Sequence, residues 1–427
     1  MRKSNAFQAR AAHGRRGPGS RMPKPTSDCG ATGCKRLWPK VRLGDVGTLI
    51  RGKGIKRSET CATGKPCIRY GEIYTSFNVF LDKPRSFVDD ALFDDCPHIK
   101  KGDLVLTLTG ENKEEIAKTL CYLGDEEIAA GGDLAIWSGH GCDPKYLAYL
   151  MYSPAMIKAK ADASNGHIVV HASVKKLQDI EIPLPPLAEQ KKIVEKVEKA
   201  LKRMDALKVQ FERMEKSAAD YFKAALAETF AAVKGEKVSL ENLCELIVDC
   251  PHTTAPDEGV GYPLVRTTNI GFGRLVYENM HRVSKTVYDA RNARAVPRAS
   301  DLVFAREAPA GNIAVLQNGE EVCLGQRTVL LRPKMDIVRP DFLAVVVLSP
   351  ASQKKLLGKS FGATVQHVNV KDIRRFEVIV PALKCQDDVV RRVFAAKSKS
   401  ERMVAAARRG IEICGKMRKA ILAEAFQ

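Results

Sequence analysis

Several short segments have residue types that chemistry uses, and each lacks a necessary part. Gly47-Thr48-Leu49-Ile50-Arg51-Gly52-Lys53 matches a phosphate-cradling GxxxxGK loop, but Gly54 follows where a hydroxyl is needed to hold magnesium. Pro256-Asp257 and Pro340-Asp341 could open a nuclease site, yet neither is followed by a suitably spaced Glu-x-Lys. The Asp-Pro-Pro or Asn-Pro-Pro pocket that presents an amino group for methyl transfer is missing, and the one Pro-Pro follows Leu184. His171 and His367 have no cysteine or paired acid beside them in sequence and read as structural. The 12 cysteines form no CxxC pair, so they read as reduced packing thiols, and no metal site is expected. The expectation is a chain that is not itself an enzyme.

Basic and polar residues gather instead in turn-rich segments, where recognition groups tend to lie. One run holds Arg51, Lys53, Lys56 and Arg57, with Lys65 and Arg69 close behind. A later set comprises Arg266, Thr268, Asn269, Arg274, Arg306, Gln326 and Arg327. Arg, Asn and Gln read purine edges with two hydrogen bonds, whereas Lys and Thr suit phosphate oxygens. These side chains are the candidates for contact with double-stranded DNA.

The elements that must carry them can be bounded by length and charge. At 427 residues the chain exceeds one compact domain, and 45% hydrophobic residues supply real cores. Lys and Arg total 69 against 50 Asp and Glu, a net charge of +19, but the excess is uneven. Residues 1–40 hold 10 basic groups and 1 acid, whereas 41–186 hold 18 against 20 and 235–382 hold 19 against 16. The main bodies are nearly neutral, so a surface for a polyanion must come from local clustering. Residues 1–37 read as a disordered basic tail, a transit peptide or a start at Met22 being the alternatives. No run approaches the ~18 apolar residues of a membrane span, and no membrane partner is expected.

The chain repeats itself once. Ser153-Pro154-Ala155 returns as Ser349-Pro350-Ala351, and Val169–Gln190 returns as Val365–Gln386, both at a spacing of 196. His171/His367, Lys175/Lys371, Glu181/Glu377, Pro185/Pro381 and Gln190/Gln386 are among the matches. Upstream, Asp103-Leu104-Val105 pairs with Asp301-Leu302-Val303 at 198, and Glu126-Glu127 with Glu320-Glu321 at 194. Each unit has a globular part of α+β (mixed α/β) pattern. Strands are expected at Leu104–Leu108, Ile313–Leu316 and Thr328–Leu331, and helices at Tyr146–Lys160 and Asp341–Leu357. A closing strand, Ile180–Leu184 or Phe376–Val380, then meets proline.

A long helix follows each unit. After Pro185-Pro186, apolar residues recur at alternating steps of four and three: Ile193, Val197, Ala200, Met204, Leu207, Phe211, Met214, Ala218, Tyr221 and Ala225. This 3.5-residue period is that of a coiled coil. The second stripe is Val389, Val393, Ala396, Ser400, Met403, Ala407, Gly410, Cys414, Met417 and Ile421, with small residues where the first has bulky ones. An antiparallel intramolecular pair is expected, with Phe211 and Met214 facing Ser400, Met403 and Ala407. At ~1.5 Å per residue such rods run to about 65 Å, long enough to hold two bodies at a set separation. The expected organisation is therefore 1–37 tail, 38–185 first domain, 186–234 central helix, 235–381 second domain and 382–427 distal helix.

The segment Ile182-Pro183-Leu184-Pro185-Pro186-Leu187-Ala188-Glu189-Gln190-Lys191-Lys192-Ile193-Val194 resembles the junction motif of the specificity subunit of type I restriction-modification systems. Arg51–Ile55, Ile68–Ile73, Asp249–Thr254, Asp301–Glu307 and Leu324–Arg327 are similar to segments of that family. The resemblance covers about residues 38–427, and the second junction departs from it by lacking the double proline and the Glu. It implies two target-recognition domains, each binding half of a bipartite asymmetric DNA site. It also implies paired helices that bind two copies of a methyltransferase subunit in pseudo-twofold symmetry. Restriction subunits join for cleavage. S-adenosylmethionine, ATP and Mg2+ would belong to those partners, with no cofactor in this chain, in the cytoplasm of a bacterium or archaeon. The alternative is a non-catalytic coiled-coil scaffold with two protein-binding domains.

Overall fold

The computed structural model describes residues 38–76, 78–166, 169–358 and 367–426. The tail expected over 1–37 lies outside them. The chain divides into two compact units, one ending at Val194 and taking in Ala425–Gln427, the other running Glu195–Glu424.

Both units are built on the same sheet. In the first, the strand order is Thr48–Arg51, Leu134–Ser138, Leu104–Thr107, Thr119–Tyr122, Phe80–Leu81. In the second it is Cys244–Asp249, Thr328–Pro333, Leu302–Ala305, Ile313–Val315, Phe272–Gly273. Every neighbouring pair is antiparallel except the last, which is parallel in both units. Registers also agree: Arg51 faces Ala135 as Asp249 faces Val329. The strands are almost continuously buried because both faces are covered. In the second unit Leu302, Phe304, Val329 and Leu331 point into one core, while Val303, Ala305 and Leu330 point into the other. Each of the valine, leucine and phenylalanine side chains contributes roughly 1.5–3 kcal/mol through burial.

A smaller sheet flanks each large one. Lys65–Ile68 lies antiparallel to Ser86–Val88 and parallel to Ile128–Ala130, and Tyr262–Val265 takes the same place between His281–Val283 and Cys323–Leu324. The first unit adds a fourth strand, His98–Ile99. The closing strand of each unit pairs back to the unit's start, Glu181–Pro183 with Lys40–Arg42 and Glu377–Val380 with Glu236–Ser239.

Two helical expectations are corrected. Tyr146–Lys160 is two helices, Pro144–Leu150 and Pro154–Asp162, and Asp341–Leu357 is likewise Pro340–Val347 and Pro350–Leu357. The break falls at Ser-Pro in both: the serine hydroxyl caps the new helix and proline occupies its first turn, where no amide hydrogen is needed.

The long helices run Leu187–Ala231, 45 residues, and Leu383–Ala425, 43 residues. Within the second unit they pair antiparallel. Ser400 Oγ donates to the Ala218 carbonyl at 2.7 Å, Arg408 meets Glu215 at 2.8 Å, and Arg418 pairs with Asp205. Phe211 packs on Gly410, one turn beyond the Ser400–Ala407 stretch expected to face it and Met214. Val197 is buried, and Ile193, Met204, Phe211, Met214, Tyr221, Met403 and Ile421 are half-buried. Val389 and Val393 join Leu226 in the core of the sheet domain. Leu207 and Met417 are corrected: they are 39% and 45% exposed, in a stretch where residues 205–210 are all exposed although Asp205 still pairs with Arg418.

Candidate nucleic-acid interface

In the first unit the loop Gly131–Asp133 organises the basic residues. Gly131 N donates to Ile68 O at 2.8 Å, Lys53 N to Ala130 O at 3.1 Å and Gly52 N to Leu134 O at 2.9 Å. This brings Arg51, Lys53 and Arg69 around one turn. A side chain at Gly131 would crowd the Arg69 backbone at 3.3 Å, so glycine permits the approach. Arg51 pairs with Asp133 at 2.9 Å and Lys53 pairs with Asp95, all four side chains about half exposed. Arg69 N donates to Glu72 at 2.9 Å, which fixes the start of the helix Tyr70–Thr75. Lys56 and Arg57 are exposed on the following turn, with no charged partner among the described residues. Lys65 stands apart at the other end of its strand, its Nζ 5.7 Å from the Phe93 ring.

The second unit repeats this frame with other side chains. Gly325 N donates to Val265 O at 2.8 Å, and Gly325 lies against Arg266 as Gly131 lies against Arg69. Arg327 occupies the place of Asp133, and both have left-handed backbone, φ 67 and φ 57. Such strain costs a non-glycine residue about 1–2 kcal/mol and tends to be kept where loop shape matters. Arg327 pairs with Glu307 at 2.9 Å, and Gln326 accepts a hydrogen bond from Thr254 at 2.7 Å. Arg266 donates to Asn279 O at 2.7 Å, and Thr268 is exposed.

Two candidates are corrected. Asn269 is buried, its amide donating to Val276 O and Glu278 O, so it holds a turn and has no free edge for a base. Arg306 is buried too: it meets both oxygens of Asp249 at 3.0 Å and donates to Val368 O at 3.1 Å, with His367 at 3.1 Å. Arg274 is not among them: it pairs with Asp341 at 2.5 Å, lies 4.9 Å over the Phe394 ring and stays partly exposed. His367 is not without an acid in space, because Glu307 lies 2.5 Å from its Nδ1. The first unit has Leu108 where Arg306 would be, and there a cleft of about 440 Å³ opens between Arg51, Thr109, Asp133 and His171.

Burial pushes the thiols of Cys67, Cys121 and Cys244 up to about 12, so they remain protonated packing groups. No cluster of three or more metal-ligating side chains occurs among the described residues, and none of their helices is long and apolar enough to cross a membrane.

Residues 35–211 and 233–401 match the family described as the type I restriction modification DNA specificity domain. The chain belongs to that family. Among its relatives, this specificity-family chain is 27% identical to the type I restriction enzyme EcoBI specificity subunit of Escherichia coli, over 64% of the chain and 63% of that subunit. It is 23% identical to the EcoKI specificity subunit of E. coli strain K12, over 91% of the chain and 88% of the relative. The fold is shared with the HsdS subunit from Thermoanaerobacter tengcongensis at TM-score 0.60 and 18% identity, covering 91% and 96% of the two chains. A chain from a study of complex assembly and conformational transition in the type I R-M system aligns at TM-score 0.67 and 18% identity, over 93% and 99%.

Proposed function

We propose that this chain is the DNA-recognition subunit of a type I restriction-modification complex. Its two sheet domains each bind one half of a bipartite, asymmetric site in duplex DNA. One observation carries the reading: the same sheet, strand for strand, occurs twice in one chain, while the loops at equivalent positions differ in chemistry. Lys53 and Gly54 in the first unit stand where Pro251 and His252 stand in the second, and Gly132 where Gln326 stands. A repeated frame with unlike tips suits two different half-sites. Arg51, Lys53, Lys56, Arg57 and Arg69 serve the first, and Arg266, Thr268, Gln326 and Arg327 the second, lysines and threonine on phosphates and the others on base edges.

The chain supplies recognition and no reacting group. Two methyltransferase subunits and the restriction subunits join it in the cytoplasm, and S-adenosylmethionine, ATP and Mg2+ are their requirements. A gel shift of the chain with and without its methyltransferase, over a range of salt, tests the reading. The expected result is retention of one DNA sequence over others, weakening steeply as salt rises. Equal retention of all sequences, or none with the partner present, refutes it.

A further inference from the structure

Arg291 is a buried arginine without a carboxylate among the described residues. It ends the helix Lys285–Arg291 and donates to three backbone carbonyls: Leu324 at 2.6 Å, Thr253 at 3.1 Å and Pro251 at 3.3 Å. Two of these belong to the loop that leaves the first strand of the large sheet, and the third precedes the Gly325–Arg327 turn. A buried guanidinium is costly to desolvate, and three directed carbonyls offset that cost only while both loops keep their places. The first unit closes the same seam with the exposed Lys53–Asp95 pair.

The two loops held by Arg291 meet at their tips. Thr254 Oγ1 donates to Gln326 Oε1 at 2.7 Å. That bond takes one of the oxygen's two lone pairs and fixes the amide's orientation, while both Nε2 hydrogens have no partner among the described residues. In the major groove, an amide that presents its NH2 group matches the N7 and O6 acceptors of guanine. Adenine asks for an acceptor as well as a donor.

We propose that Gln326, oriented by Thr254, reads a guanine in the half-site of the second unit, and that Arg291 is the positioning residue that holds the two loops in register. This rests on the DNA-recognition reading above. It makes the second unit's selectivity depend on a side chain, Gln326, where the first unit has Gly132.

The test is methylome sequencing in cells expressing the full chain with its methyltransferase. Wild type must first show a bipartite methylated site; if it shows none, the DNA-recognition reading fails rather than this inference. Given that site, Gln326→Ala is expected to lower discrimination at one guanine of one half-site by about tenfold or more. Thr254→Val frees Oε1 and is expected to admit adenine there. Arg291→Gln is expected to relax the same half-site while the other half-site keeps its preference and the melting temperature of the chain holds. Should Arg291→Gln fail to fold, the two surface variants decide alone. Wild-type preference in both Gln326→Ala and Thr254→Val, or a loss spread equally over both half-sites, overturns the proposal.

Discussion

Replacing Gly410 by alanine tests the pairing of the long helices. Glycine inside a helix is less stable than alanine by about 1 kcal/mol, so an exposed site would gain from the change. Here a Cβ would lie 2.5 Å from Cε1 and Cζ of Phe211, far inside the ~3.5–4.0 Å at which carbon atoms attract. Overpacking of this kind costs roughly 1–3 kcal/mol, so against the ~1 kcal/mol gain the net expectation is a loss of up to about 2 kcal/mol. In a Phe211→Ala background the obstacle is gone, and Gly410→Ala is expected to stabilise by about 1 kcal/mol. The difference between the two backgrounds corresponds to a coupling of about 1–3 kcal/mol, readable from a double-mutant cycle. Guanidinium unfolding of the four chains should be followed by far-UV circular dichroism, since the two tryptophans, Trp38 and Trp137, both precede the long helices. Equal stabilisation in both backgrounds refutes the contact and with it the stagger.

Other expectations follow from single residues. Burial lowers the pKa of Lys160 to about 7, while its Nζ donates to Ala117 O at 3.0 Å; the repeat has Leu356 at the same place. The unfolded chain binds a proton there up to about pH 10 and the folded chain only to about 7. The burden is therefore fully present below pH 7 and lifts as pH rises from 7 towards 10. Lys160→Leu should stabilise at pH 6 by up to about 4–5 kcal/mol and show little gain at pH 10, and a pH-independent difference in denaturation midpoint contradicts this. Reversing Lys56 to Glu should weaken binding to all duplexes alike and reduce the salt slope by roughly one, with an unaltered slope counting against its contact with phosphate. Gln386→Glu removes a donor to Pro381 O and Ile337 O at a buried site, and a loss of about 2–4 kcal/mol is expected in thermal or chemical unfolding.

How much was legible in the sequence depended on whether partners were near or far along the chain. The repeat, the strands at Leu104–Thr107 and Thr328–Pro333 and the extent of both long helices follow from local pattern. The stagger does not, because a 3.5-residue period says which side chains face the seam and leaves open which turn meets which. Asn269 and Arg306 have the chemistry of base readers, but Val276, Asp249 and Val368 claim them inside the fold, and those contacts exist only after the sheet forms. Arg291 is hidden for the same reason: it reads as an ordinary helix-end cation until loops 33 and 38 residues away close over it.

Gln190 and Gln386, 196 residues apart, do the same work at the root of each long helix. One amide accepts from a backbone amide of its globular domain, Asp143 at 2.8 Å or Arg339 at 2.7 Å, and donates to a carbonyl just before the helix, Pro185 or Pro381, both at 2.8 Å. Gln386, whose helix and sheet domain lie in one unit, is a pivot at the short end of a lever. At ~1.5 Å per residue, a tilt of roughly 5° at Gln386 carries the far end of its helix about 5 Å sideways. The two polar atoms of one buried amide thus join the first turn of the helix to the sheet domain, and a change there is magnified at the tip in a way that one farther along cannot be.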